Sequence, residues 1–180
     1  PYCMLTNGCY YLKKQAILAI IIGLCHRKIL LKDSQFYTMN KLDLNLYKNM
    51  LLIRLAEEGI AKRYKDGKMR CPTHLSIGQE AAASGVGLAL RKTDLALSTH
   101  RGHAHYLAKG GSLKRMIAEI YGKSTGCSGG RGGSMHLTDK KKGFMGSSSI
   151  VGNSIPLGVG LGLSLKLKKT KNISIIYLGD

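Results

Sequence analysis

Residues 157–168 (LGVGLGLSLKLK), followed by residues 173–178 (ISIIYL) and then Gly179 and Asp180, decide the fold class. Taken literally, the first segment alternates leucine or valine with small or charged residues at period two, the pattern of a half-buried strand. Three observations overrule that reading. Glycine is among the poorest strand residues. Pro156 stands where a first helical turn tolerates proline, behind Asn153 or Ser154 as cap, and leucine is a good helix former. The segment is expected to be a helix. Residues 173–178 form a continuous apolar run, as in a strand covered on both faces within a parallel sheet. A helix feeding such a strand implies an α/β fold, a mostly parallel sheet flanked by helices.

Working upstream, the alternation of helix and strand continues. Tyr47, Met50, Leu51, Leu55, Ile60 and Tyr64 fall at helical spacing from Leu42 onward. Arg54, Glu58 and Lys62 are spaced i to i+4, which predicts pairing on the solvent face. Residues 79–90 (QEAAASGVGLAL) predict a second helix, with so little side chain that another backbone can approach closely. Residues 95–99 predict a short strand, and Ser112 is placed to cap a helix over 113–121 that Gly122 ends. Residues 122–149 hold eight glycines and few core formers, which reads as a long functional loop.

The first forty residues differ in character, with Tyr and Cys scattered around one apolar run at 16–25 (AILAIIIGLC). Ten residues are too few to span a bilayer, and no small-residue cleavage pattern follows. Residues 1–40 are expected to be an extension of uncertain status, with Met39 as a natural start, and residues 41–180 the enzyme domain. Pro1 and Asp180, the latter directly after an expected strand, read as cut ends of a longer chain.

Of the 180 residues 44% are hydrophobic, enough for a core and against disorder. Lys and Arg number 28 against 10 Asp and Glu, a formal charge of +18 that suggests a phosphate-bearing partner. Nine Tyr, two Phe and no Trp leave few stacking surfaces, so a single-stranded nucleic-acid binder is disfavoured. The five cysteines are dispersed, without a Cys-x-x-Cys pair; neither a disulfide framework nor a zinc site is indicated, and a reducing compartment fits.

Several residues could carry chemistry. Gly179 and Asp180 end the expected strand, where open α/β sheets bind ligands. An Asp there can hold a divalent ion such as Mg2+ shared with substrate phosphates, although a Gly-Asp pair also simply starts a turn. Five of the six His lie between 74 and 136, three of them in residues 100–105 (HRGHAH). The spacing matches no zinc signature. Arg101 can donate in bidentate fashion to a phosphate oxygen and neutral His can relay protons near pH 7; a solvated loop is the plain alternative. Residues 126–136 (GCSGGRGGSMH) match neither a P-loop nor a dinucleotide turn. The Lys140, Lys141 and Lys142 run reads as solvated surface.

In order along the chain, THLSIGQEA (73–81), HRGHAHYLAKG (100–110), GCSGGRGGSMH (126–136), SSSIVGNSIPLGVG (147–160) and YLGD (177–180) closely resemble one family. It is the alpha subunit of the thiamine-diphosphate-dependent first component of 2-oxo acid dehydrogenase complexes, which includes pyruvate dehydrogenase and the acetoin dehydrogenases. The resemblance covers residues 42–180 and implies the thiamine-diphosphate-binding fold. It implies that His100 and Arg101 hold the cofactor's diphosphate, although the family often has Tyr at the first position. Ser149 and Val151 would cradle the aminopyrimidine, and Gly179 with Asp180 would begin the motif in which Asp180 ligates Mg2+. His74 and His103 match residues near the reacting centre and in the diphosphate loop, expected as proton donors or substrate binders. Glu80 and Glu119 are expected to be structural, the activating carboxylate belonging to a beta subunit in an α2β2 assembly. The implied reaction is decarboxylation of a small 2-oxo acid such as pyruvate, or cleavage of acetoin, with acyl transfer to the lipoyl group of a transacylase. A cytoplasmic or mitochondrial-matrix protein is implied, with no membrane or nucleic-acid partner. Two other classes compete, an inactive piece that serves only as an interaction module and a basic nucleic-acid-binding protein.

Overall fold

The computed structural model describes residues 29–30, 36–37, 40–69 and 71–179. The apolar run at 16–25 and Met39 lie outside the described residues, as does Asp180. The chain divides into two units, residues 1–45 and 46–180. In the first, β1 (Ile29–Leu30) pairs antiparallel with β2 (Phe36–Tyr37), Ile29 opposite Tyr37. Helix α1 (Lys41–Tyr64) starts there on a reciprocal cap: the Asp43 amide donates to Asn40 Oδ1 at 2.9 Å and the Asn40 amide to Asp43 Oδ2 at 3.4 Å.

In the second unit α1 turns Ile53, Glu57 and Ile60 inward, at spacing i, i+4, i+7. Helix α2 (Glu80–Ala89) follows, then β3 (Leu95–Thr99), α3 (His103–Ala108) and α4 (Leu113–Ile120). Ser112 caps α4 by accepting the Arg115 amide at 3.4 Å, and Gly122 with φ +66° ends it, as the turn chemistry predicts. The expected close approach of α2 is real at Gly87, where a Cβ would lie 2.6 Å from the Ala108 carbonyl oxygen. After a single 3-10 turn at Lys140–Lys142 come β4 (Phe144–Ser148), α5 (Ser154–Leu167) and β5 (Ser174–Ile176).

The three strands form a parallel sheet in the order β4-β3-β5, with Thr99 opposite Ser148 and Leu97 opposite Ile176. The α/β class and the helical reading of residues 157–168 therefore hold. Tyr106 packs edge-on against Phe144, centroids 5.5 Å apart, in a core that includes Ile53, Ile60, Ala83, Met116, Ile120 and Leu137.

Three expectations need correction. Residues 122–149 are not all loop, because β4 pairs with the central strand; its FMGSS sequence lacks the apolar run that marks a buried strand. Residues 173–178 are not covered on both faces: β5 is an edge of the sheet among the described residues, with Ile173 51% and Leu178 61% exposed. Central β3 holds the fully covered place, from Ala96 to Thr99. Arg54 makes its direct ion pair outside the helix: Glu58 contributes only a weaker electrostatic attraction, while the guanidinium forks onto Glu80 of α2, Nε to Oε1 at 2.6 Å and Nη2 to Oε2 at 3.1 Å. The two-pronged geometry of guanidinium and carboxylate favours that tertiary pair over an exposed i,i+4 contact.

Candidate functional site

Parallel pairing puts the carboxyl ends of β3, β4 and β5 on one edge. The residues that follow them, His100-Arg101, Ser149 to Val151 and Leu178-Gly179, are therefore delivered to that edge, the usual ligand edge of open α/β sheets. The loop after β3 packs against the end of β4: a Cβ on Gly102 would stand 3.0 Å from Ser147 Cβ, so glycine is what lets them meet.

The loop at 73–76 closes one side. Arg101 Nη1 donates to the Leu75 carbonyl at 2.6 Å and Ser76 Oγ donates to the Arg101 carbonyl at 3.4 Å. This brings the His74 ring onto His100, centroids 4.6 Å apart and nearly perpendicular. Burial, followed by the neighbouring His100, Arg101 and His103, holds the His74 pKa below its usual value, so the ring is neutral at pH 7. His74 Nδ1, His100 Nδ1 and Arg101 Nε are all buried without a protein partner. Buried polar atoms are normally hydrogen-bonded. Three orphans in one corner, one of them on a guanidinium, fit a ligand that carries an anionic group and further acceptor oxygens.

His103 takes a different place. Its ring is fully buried; Nδ1 lies 2.8 Å from Glu57 Oε1 and Nε2 lies 2.8 Å from Ser134 Oγ. Glu57 Oε2 also accepts the Ser76 amide at 3.1 Å. The chain Ser76–Glu57–His103–Ser134 thus ties α1, the 73–76 loop, α3 and the Gly-rich loop together behind His74 and Arg101. Glu57 was not singled out from sequence, yet its position between Ile53 and Ile60 on the apolar stripe of α1 was the signal.

The Gly-rich loop is held by Glu119. Oε2 accepts the amides of Ser128 at 2.7 Å and Gly130 at 2.9 Å, and Oε1 accepts that of Gly132 at 2.7 Å. Gly130, φ +78°, admits no side chain, since a Cβ would sit 2.7 Å from the Lys123 carbonyl oxygen. Glu80 is bound to Arg54 and accepts the Gly78 amide at 3.0 Å. Neither carboxylate is free for catalysis.

Ser149 and Val151 stand exposed between β4 and α5, Val151 at 71%. Ser148 Oγ braces this turn by accepting the Ile150 amide and Asn153 Nδ2, each at 3.2 Å. Gly179 is exposed with φ +149°, a conformation open to glycine, and Asp180 is outside the described residues. No group of three or more His, Cys, Asp or Glu side chains able to hold a metal occurs among the described residues. No described helix is long and apolar enough to cross a membrane.

Comparison with known proteins joins this geometry to a family. The dehydrogenase E1 component family matches residues 47–180. The chain is 42% identical over 135 residues to the alpha subunit of acetoin:2,6-dichlorophenolindophenol oxidoreductase from Bacillus subtilis, covering 75% of this chain and 40% of that protein. It is 39% identical over 150 residues to the pyruvate dehydrogenase E1 component subunit alpha of Rickettsia prowazekii, covering 83% and 46%. The Rhizobium meliloti pyruvate dehydrogenase E1 alpha subunit is 42% identical over 138 residues, covering 77% and 40%. The chain spans less than half the length of these relatives. The parallel α/β fold and this long match agree, and the chain belongs to the dehydrogenase E1 component family.

Proposed function

We propose that this chain supplies the alpha-side diphosphate pocket of a thiamine-diphosphate-dependent E1 component. In that reading the complete component decarboxylates a small 2-oxo acid such as pyruvate, or cleaves acetoin, and passes the acyl unit to a lipoyl group on a transacylase. The observation that carries the reading is the trio of buried, unpartnered nitrogens on His74, His100 and Arg101. Each orphan costs about 1–3 kcal/mol in the absence of a ligand; an oxygen-rich anion satisfies those of His100 and Arg101, and a substrate carbonyl that of His74.

When bound, thiamine diphosphate supplies a nucleophilic carbon and a sink for the electron pair released on decarboxylation. The chain's residues bind and orient it. Arg101 is held by the Leu75 carbonyl through Nη1, which leaves Nε to donate to a diphosphate oxygen. His100 donates beside it, and neutral His74 holds a proton for the substrate carbonyl. His103 has both ring nitrogens engaged, so its part is to position the loops rather than to exchange protons with substrate. Ser149 and Val151 carry the aminopyrimidine, and Gly179 with Asp180 takes the Mg2+ side. A beta subunit in an α2β2 assembly provides the activating carboxylate.

Calorimetric titration of the complete component with thiamine diphosphate at saturating Mg2+ tests this. Arg101→Ala is expected to weaken binding by about ten- to a hundredfold, the worth of one or two charge-assisted hydrogen bonds. Unchanged affinity removes Arg101 from the cofactor site and the reading with it.

A further inference from the structure

His105 and Tyr177 form a half-buried pair outside the diphosphate corner. Their rings stack at 3.7 Å with 14° between planes, and His105 Nδ1 lies 2.8 Å from Ser98 Oγ. Tyr177 extends the β3–β5 ladder by one bond, its amide donating to the Leu97 carbonyl at 2.9 Å, while its hydroxyl is buried without a partner. Burial drives the His105 pKa down to about 4 and the Tyr177 pKa up to about 12, so both rings are neutral at physiological pH.

An apolar pair would fill this space without an orphaned hydroxyl, so filling space does not account for the residue types. Their places in the chain do. His105 is four residues past Arg101, on the helix that follows the diphosphate loop, and Tyr177 is two residues before Gly179. Helix α3 and the end of β5 share no other ring contact among the described residues. Ser98 adds β3 itself, so one imidazole touches the strand that leads into Arg101 and the strand that leads into Gly179.

We propose that His105 is a positioning residue that sets the spacing between the Arg101 loop and the Gly179 strand end by its stack on Tyr177. This rests on the reading of the edge as a thiamine diphosphate site. A cofactor with its diphosphate on one loop and its metal on the other is sensitive to that spacing, just as metal affinity commonly depends on residues behind the direct contacts.

The test uses the complete component and titrates thiamine diphosphate at fixed Mg2+, with melting of the cofactor-free protein alongside. His105→Ala is expected to weaken thiamine diphosphate binding about tenfold, and His105→Phe, which keeps the stack, to restore it to within about twofold of wild type by the same reasoning. If His105→Ala binds as wild type while Arg101→Ala does not, the positioning role is wrong and the site reading stands. If both bind as wild type, the site reading itself has failed. Failure of His105→Phe to restore binding overturns the stacking argument. Should His105→Ala not fold, Tyr177→Leu removes the stack from the other side and is read by the same criteria.

Discussion

Removing the Glu119 carboxylate should release the Gly-rich loop. Three amides, those of Ser128, Gly130 and Gly132, end on its two oxygens, and the side chain is fully buried. An unsatisfied buried donor costs about 1–3 kcal/mol. The loop borders an open cavity of about 670 Å³, lined by Gly130, Arg131, Gly132 and Gly133, so water can reach some of the freed amides. The lower figure per amide is therefore the better guide, and Glu119→Ala is expected to destabilise the protein by about 3 kcal/mol. Glu119→Gln discriminates further. Its amide oxygen can replace Oε2, which serves two donors, but its NH2 then faces the Gly132 amide, donor against donor. One bond is lost, at about 1–2 kcal/mol. Amide hydrogen exchange resolves the residues: in Glu119→Ala all three amides should exchange faster while β3 stays protected, and in Glu119→Gln mainly Gly132. Unchanged exchange at 128, 130 and 132 in Glu119→Ala would refute the account of how the loop is held.

The remaining predictions are local. His105 has a folded pKa of about 4 against 6.5 when unfolded, so the unfolded chain binds more protons between these values. Its contribution is complete above about pH 6.5 and is lost as pH falls toward about 4, an effect of about 2–3 kcal/mol at pH 4.5; denaturant titrations should show His105→Phe losing that much less than wild type between pH 7.5 and pH 4.5. In α2, Gly87→Ala drives a methyl against the Ala108 carbonyl and should cost about 1–3 kcal/mol. Gly85→Ala meets nothing within 4 Å and should stabilise by about 0.5–1 kcal/mol. Equal melting temperatures for these two variants would contradict the close contact between α2 and α3.

Much of the fold was legible because it was written locally. Ser112 and Gly122 bracket α4 by capping chemistry that acts within a turn, and Pro156 with its leucines outweighs the misleading alternation of α5. Strand β4 was not legible. Phe144 and Met145 are its only large apolar residues, and the strand exists because β3 offers it a parallel partner. Arg54 illustrates the same limit: charges at i+4 are visible in sequence, but the acceptor it uses is on α2, 26 residues away. Among the candidate site residues, His100 and Arg101 were marked by residue type and meet at the sheet edge with His74, whereas His103 carries the same side chain and is buried behind them.

What sequence alone determined is the class of the fold, the caps and turns, the motifs that mark the family, and which residue types could meet an anion. Each depends on neighbours within a few positions or on side-chain chemistry. Tertiary structure decided which histidines line the candidate site and which are spent inside, that Glu57 and Glu119 anchor loops, and that His105 of α3 stacks on Tyr177. The physical reason is that burial and hydrogen-bond partnership are set by chain segments distant in sequence. A histidine's tautomer, charge and role follow from those partners.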